Sequence, residues 1–197
     1  PSTRQRDALG HTGLVHPAFL YLPGQRLTLP ELTAARLDGD VVDIGEAFIP
    51  ADLVEGADVR SASIATIVHP GTAVCGPSAV WVHGACDAPP NPHHLRRAVA
   101  RRIRAVQSPR VRYHDTPLPA EDLLLIGGIP ITTPERTLID LALGSHREPA
   151  LDRWAHMLIE HDPGLIGTAR ERIRTLRRVP GSRRALELLE ELGIRTT

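Results

Sequence analysis

The sequence predicts an α+β fold, with a reduced winged-helix-like module at the N-terminus and then a mixed α/β domain with a helical C-terminal tail. Three observations predict it. A capped helix and a short hairpin follow one another between Thr28 and Pro50. Strand-like runs gather between residues 94 and 131, and from Thr133 to residue 192 the apolar residues recur at helical spacing. The expected division is a module over residues 1–55 with a poorly ordered start, and a domain over 56–197. That domain carries its sheet at 94–131 and helices at 57–84 and 133–192.

Residues 1–26 are polar with scattered apolar groups and are expected to be partly unfixed. A first helix follows over Leu29–Leu37, with Thr28 as its cap and Gly39 as its stop. Val41–Pro50 then reads as two short strands turning near Gly45. A helix followed by such a hairpin is the tail half of a winged helix. Asp58–Val68 reads as helical, with Ile64, Ala65, Ile67 and Val68 inward. Gly76–Gly84 reads as a further helix closed by its last glycine. Residues 88–92 are a proline-rich connector. Residues 94–105 fit neither period cleanly and are assigned to a strand; Val111–His114 is a second strand. Leu123–Ile126, Gly127-Gly128 and Ile129–Ile131 make a tight hairpin.

The segment Thr132–Ala142 joins that hairpin to a helix. A threonine hydroxyl caps the first turn, because its oxygen accepts an otherwise unpaired amide. Pro134 suits the first helical position, where a missing N–H costs nothing. Leu138, Leu141 and Ala142 form a buried face, and Arg136 and Asp140, four apart, can pair. Helices are expected over 134–143, 149–160, 163–178 and 182–192. Trp81 and Trp154, on apolar helix faces, are read as core anchors.

A hydrophobic fraction of 42% with 23% charged residues is that of a globular chain. No apolar run approaches the length of a membrane span, and the first residues lack a signal-peptide core, so a cytoplasmic protein is expected. Cys75 and Cys86 do not make a disulfide framework. The net charge of zero hides an asymmetry: residues 1–92 hold 5 Arg against 10 acids, whereas residues 93–113 hold 7 Arg and no acid. The chain has no lysine, which removes every mechanism that needs one.

Tests for chemistry come back negative. Cys75, His83, Cys86, Asp87, His93 and His94 lie near one another, but their spacing lacks the paired ligands of a structural zinc site. Gly144-Ser145 followed by Asp152 offers one carboxylate where nucleotidyl transfer needs two to hold magnesium. A restriction-type nuclease wants a lysine after its acidic pair. There is no nucleophile elbow, phosphate loop or dinucleotide fingerprint. No catalytic residue, metal site or cofactor is expected, and the chain is read as a binding protein.

Two arginine clusters are the candidate nucleic-acid contacts. The first is Arg96, Arg97, Arg101, Arg102, Arg104, Arg110 and Arg112, beside His93, His94 and Tyr113 in a stretch free of acids, with the first five taken as the contacts. The second is Arg170, Arg174, Arg177 and Arg178, which draw one basic stripe along a helix opposite Ile166, Ala169, Ile173 and Leu176. Arginine forks bind phosphates bidentately.

Gly76–Gly84, the arginine-rich strand, Val111–His114, the hairpin running into Thr132-Thr133-Pro134, and Glu135–Ala142 occur in an order that resembles the actinobacterial AbiEi-type antitoxins of type IV toxin–antitoxin systems. The likeness covers roughly residues 57–143 well and the helical tail loosely. It implies a bipartite protein: an N-terminal winged helix that binds the promoter of its own operon, and a C-terminal domain acting against a nucleotidyltransferase-like toxin. The chain departs from that pattern upstream. No clear first helix precedes Leu27, and residues 27–50 hold one arginine, Arg36, against five acids. An acidic surface repels phosphates, so any DNA contact is expected from the second domain. The competing expectation is a protein-interaction module without specific DNA binding. A third is a degenerate relative of nuclease-like proteins, for which a chain stopping at Thr197 would leave little room.

Overall fold

The computed structural model describes residues 19–104, 108–176 and 179–195. Its first helix, α1 (Leu29–Asp38), starts in a capping box: the Glu31 amide donates to the Thr28 hydroxyl, and the Thr28 amide donates to the Glu31 carboxylate at 2.7 Å. It stops at Gly39, whose φ of 85° only glycine adopts cheaply. Strands β1 (Val41–Ile44) and β2 (Ala47–Pro50) follow as the expected antiparallel hairpin. Its tip at Gly45 has φ 52°, and a Cβ there would lie 2.4 Å from the Ser63 hydroxyl and 3.2 Å from Trp81. The hairpin therefore presses on the rest of the molecule. Ile44, Ala47 and Ile49 share one core with Ala62, Trp81, Leu95 and Ile131.

Beyond it come α2 (Ala57–Ser63), a 3-10 turn at Ala65–Ile67, β3 (Thr72–Val74) and α3 (Gly76–Val82). Arg60 of α2 is buried and ties these elements together, donating to the carbonyls of Trp81 at 2.7 Å and Cys86 at 2.8 Å and pairing with Glu55. Strands β4 (His93–Arg97), β5 (Val111–His114), β6 (Leu123–Ile126) and β7 (Ile129–Thr132) complete a five-stranded sheet of order β5-β4-β3-β7-β6. Strand β3 is its centre, antiparallel to β4 and parallel to β7; β4 and β5 run parallel.

Four helices close the chain: α4 (Pro134–Gly144), α5 (Asp152–His161) after a 3-10 turn at Pro149–Leu151, α6 (Leu165–Thr175) and α7 (Ser182–Arg195). They build a second core from Leu138, Leu141, Trp154, Leu158, Ile173 and Leu189, with Val80 of α3 reaching into it. Both tryptophans are core residues, as their helix faces predicted.

The fold class is the expected α+β, with three differences of detail. Strand β3 lies outside the predicted sheet span; its three residues are too few to show a period. The strand expected over 94–105 ends at Arg97, because that side chain turns back and donates to the carbonyls of Val99 (3.3 Å) and Ala100 (2.6 Å), curling the chain off the sheet. Arg101, Arg102 and Arg104 therefore lie beyond the strand assigned to them. The helix expected over 163–178 ends at Thr175, and Arg177 and Arg178 lie outside the described residues.

Candidate functional site

The Thr132–Ala142 segment does its work through side chains. Thr133 caps α4 by accepting from the Arg136 amide at 3.1 Å. Thr132 and Thr137, both fully buried, share a 2.7 Å hydroxyl hydrogen bond, and the Thr132 carbonyl lies 2.8 Å from His83 Nε2. Burial holds the His83 imidazole below its ordinary pKa, so it is neutral and donates its Nε2 proton to that carbonyl.

From α4 a chain of alternating charges runs through the domain. Asp140 accepts from Arg96 of β4 and from Arg136 (3.0 Å), and Arg136 also reaches Asp122, just before β6, at 2.8 Å. Asp122 in turn pairs with Arg172 of α6 at 2.9 Å, and Arg172 lies 3.5 Å from Glu135. Burial alone would favour the neutral form of Arg136, but Asp140 and Asp122 outweigh it and raise its pKa. These bonds tie α4 to β4, β6 and α6. They also explain why the motif carries Glu135, Arg136 and Asp140 together.

The parallel register of β4 and β5 sets His94 opposite Arg112 and Arg96 opposite His114. Side chains two apart share a face, so these four lie as a two-by-two grid. His114 Nε2 is 3.2 Å from His94 Nδ1, Arg96 answers Asp140, and Arg112 reaches Glu148 at 2.7 Å. The grid floors a cleft of about 400 Å3 whose walls come from the start of α3, from α4 and the turn after it, and from Val179 and Pro180 just before α7. Burial, then the neighbouring His114 and Arg112, push the His94 pKa down to about 4. Burial also depresses His114, and drives Cys75 at the cleft floor far above the ordinary thiol value, so that sulfur is inert.

The nine arginines selected from sequence separate into groups. Arg96 and Arg97 are buried, and their guanidinium groups are occupied: Arg96 by Asp140 and the Thr116 carbonyl, Arg97 by Asp115 and the Val99 and Ala100 carbonyls. Arg101, Arg102 and Arg104 are exposed on the segment leaving β4. Arg102, 88% exposed, comes within 3.7 Å of Asp115, and among the described residues Arg101 and Arg104 have no ion pair. Arg170 is half-buried with its Nε unpartnered, and Arg174 is exposed on α6. Arg177 and Arg178 lie outside the described residues. Sequence reasoning overlooked His114, Asp140 and Glu148 as neighbours of the arginine-rich strand. The one available signal was the repetition of His and Arg at alternate positions in both β4 and β5.

Among the described residues, no three His, Cys, Asp or Glu side chains gather as a metal site would require, and no helix is long and apolar enough to cross a membrane. A family model, the AbiEi antitoxin C-terminal domain, matches residues 72–191, from β3 into α7. The chain belongs to this family. An antitoxin-type role goes with the AbiEi domain, and the charge chain from Arg96 to Arg172 lies wholly inside the matched residues. No curated protein matches the chain. Two chains among solved structures do. One is the crystal structure of the Rv2827c protein from Mycobacterium tuberculosis, at 22% identity and a TM-score of 0.46, covering 83% of this chain and 65% of that one. This AbiEi-family chain thus spans about two thirds of that structure's length.

Proposed function

We propose that this protein is a cytoplasmic antitoxin that represses its own operon by binding promoter DNA, and counteracts a nucleotidyltransferase-like toxin, acting by binding and not by catalysis. The observation that carries the DNA reading is the separation of the first arginine cluster into two populations. Arg96 and Arg97 are consumed by internal bonds that shape the segment after β4, while Arg101, Arg102 and Arg104 project from that segment into solvent. Exposed arginines with little internal pairing neutralise phosphates and release counterions. Arg170 and Arg174 on α6 add a second basic surface. The test is a titration against the DNA upstream of the gene, with random DNA as competitor, at several salt concentrations. Preference for the upstream DNA is the expected result.

A second reading, a protein-interaction module without specific DNA binding, is favoured by the N-terminal unit. Its exposed Asp38, Asp40 and Asp43 lie beside exposed Leu37 and Val42 in the chain. Weak binding, equal on both DNAs and lost by physiological salt, would establish that reading instead.

A further inference from the structure

We infer that the cleft floored by the His94, Arg96, Arg112 and His114 grid binds a small phosphomonoester of mononucleotide size. This assignment stands apart from the promoter-binding reading, since the cleft lies on the α4 side of β4 and β5, whereas the DNA contacts proposed above leave the sheet after Arg97.

Its charge calls for an anion. The lining holds three arginines, Arg96, Arg112 and Arg147, against two carboxylates, Asp140 and Glu148. Arg96 and Arg112 are answered by Asp140 and Glu148, which leaves Arg147 as the lining cation without a carboxylate partner among the described residues. At the rim, His146 Nδ1 lies 2.7 Å from the Leu143 carbonyl and donates to it, leaving Nε2 to accept from Arg147 Nε at 3.1 Å. That relay holds the exposed Arg147 guanidinium over the opening. Arg112, also accessible, stands across from it on β5. Planar guanidinium forks match the oxygens of a phosphate.

The histidine pair makes the same demand. With ring nitrogens 3.2 Å apart, one neutral ring donates and the other accepts, so a single proton lies between the two facing nitrogens. Protonating both rings would break this hydrogen bond and set two cations face to face. The titratable and charged groups acting on His94 are His114 and Arg112 from β5, Glu148 from the turn after α4 and His93 on its own strand, with Arg96 and Asp140 lining the same cleft. A phosphate dianion seated on the grid supplies the missing negative charge and lets both rings hold protons. The far wall is apolar, from Leu141, Leu151 and Val179, and suits an organic body. A volume of about 400 Å3 falls within the range of small-ligand clefts. Glu148, half-exposed at the edge, is placed to accept from a sugar hydroxyl.

The experiment uses the full chain at pH 6.5. Inorganic phosphate, AMP, GMP and adenosine are titrated while thermal stability and the imidazole NMR signals are followed. Phosphate is expected to stabilise in the millimolar range, and the monophosphates at least tenfold more tightly. Adenosine should do nothing. Phosphate and AMP should also move the titration midpoints of His94 and His114 upward. Arg112→Gln and Arg147→Gln change accessible side chains, and each should weaken AMP at least tenfold while leaving the unliganded melting curve near that of the parent. No response to phosphate or either monophosphate at 20 mM overturns the proposal. So does an AMP response unchanged in both variants, or unmoved histidine midpoints under saturating AMP. Displacement of AMP by a duplex lacking terminal phosphates would assign the cleft to nucleic acid and overturn the metabolite site.

Discussion

Asp122, 1% exposed, accepts a 2.8 Å hydrogen bond from Arg136, and this bond locks the start of β6 to the first turn of α4. The other carboxylate oxygen takes Arg172 of α6 at 2.9 Å, while the Asp122 carbonyl accepts the Thr133 amide at 2.9 Å. A buried carboxylate with two arginines is costly to break, because removing it strands charge in a dry place. Asp122→Ala should therefore destabilise by roughly 3–5 kcal/mol. Arg172→Ala should cost about 1 kcal/mol, since Arg172 is nearly half exposed and Arg136 still answers Asp122. Urea denaturation of both variants checks the ranking; equal losses would show that the buried carboxylate does not govern this junction.

Two glycines separate backbone strain from steric contact. Gly39 and Gly45 both have positive φ, 85° and 52°, but a Cβ at Gly39 meets nothing within 4 Å. At Gly45 it meets the Ser63 hydroxyl at 2.4 Å and an Ile64 methyl at 2.9 Å. Gly39→Ala should cost about 1 kcal/mol from the left-handed backbone alone. Gly45→Ala should exceed it by about 1–3 kcal/mol, as overpacking is added where the hairpin meets the core. Equal melting shifts in the two variants would mean that the hairpin tip yields freely.

The elements signalled by local chemistry were legible. The Thr28 cap, Gly39, the Gly127-Gly128 turn and Thr133-Pro134 each carry their reason in one side chain or one φ angle. What stayed hidden was long-range. Asp140 was readable as the i,i+4 partner of Arg136, but nothing local announces that Arg96, 44 residues earlier, takes its other side. For the same reason a run of arginines without acids looked uniform, although Arg96 and Arg97 face inward and Arg101 to Arg104 do not. Strand β3 was invisible because its neighbours supply its pattern, and the cleft because it exists only once β4 and β5 are in register.

Acid should destabilise the protein through its buried imidazoles. His93 and His94 both have pKa values pushed down to about 4, His93 by burial beside Ser78 and Trp81, and His94 by burial and then by His114 and Arg112. Glu46 lies 4.0 Å from His93 Nε2, but it is committed to Arg110, so burial decides. Between about 6.5 and 4 the unfolded chain binds protons at these sites and the folded chain does not. Stability should be full above about pH 6.5 and fall as pH drops to about 4, by on the order of 3 kcal/mol for each histidine. Denaturation midpoints across that window check the slope, and His94→Gln should remove about one proton from it. A flat profile from pH 7 to 4 would contradict the placement of both rings.

If DNA contacts come from the segment leaving β4, the two arginine populations must behave oppositely. Replacing Arg101, Arg102 and Arg104 together with alanine removes three exposed side chains, of which, among the described residues, only Arg102 nears a carboxylate, at 3.7 Å, so folding should be little changed. Binding to upstream DNA should weaken, and the slope of log affinity against log salt should shrink by about 2–3, close to one for each lost phosphate contact. Arg96→Ala should instead lower stability by roughly 3 kcal/mol, because Asp140 loses a buried partner. The folded fraction of that variant should keep its salt slope. Arg170 and Arg174 replaced together provide the comparison for the α6 surface. A salt slope lost only in that pair would move the interface from the sheet edge to α6, and one unchanged in both would leave the basic residues without a part in DNA binding.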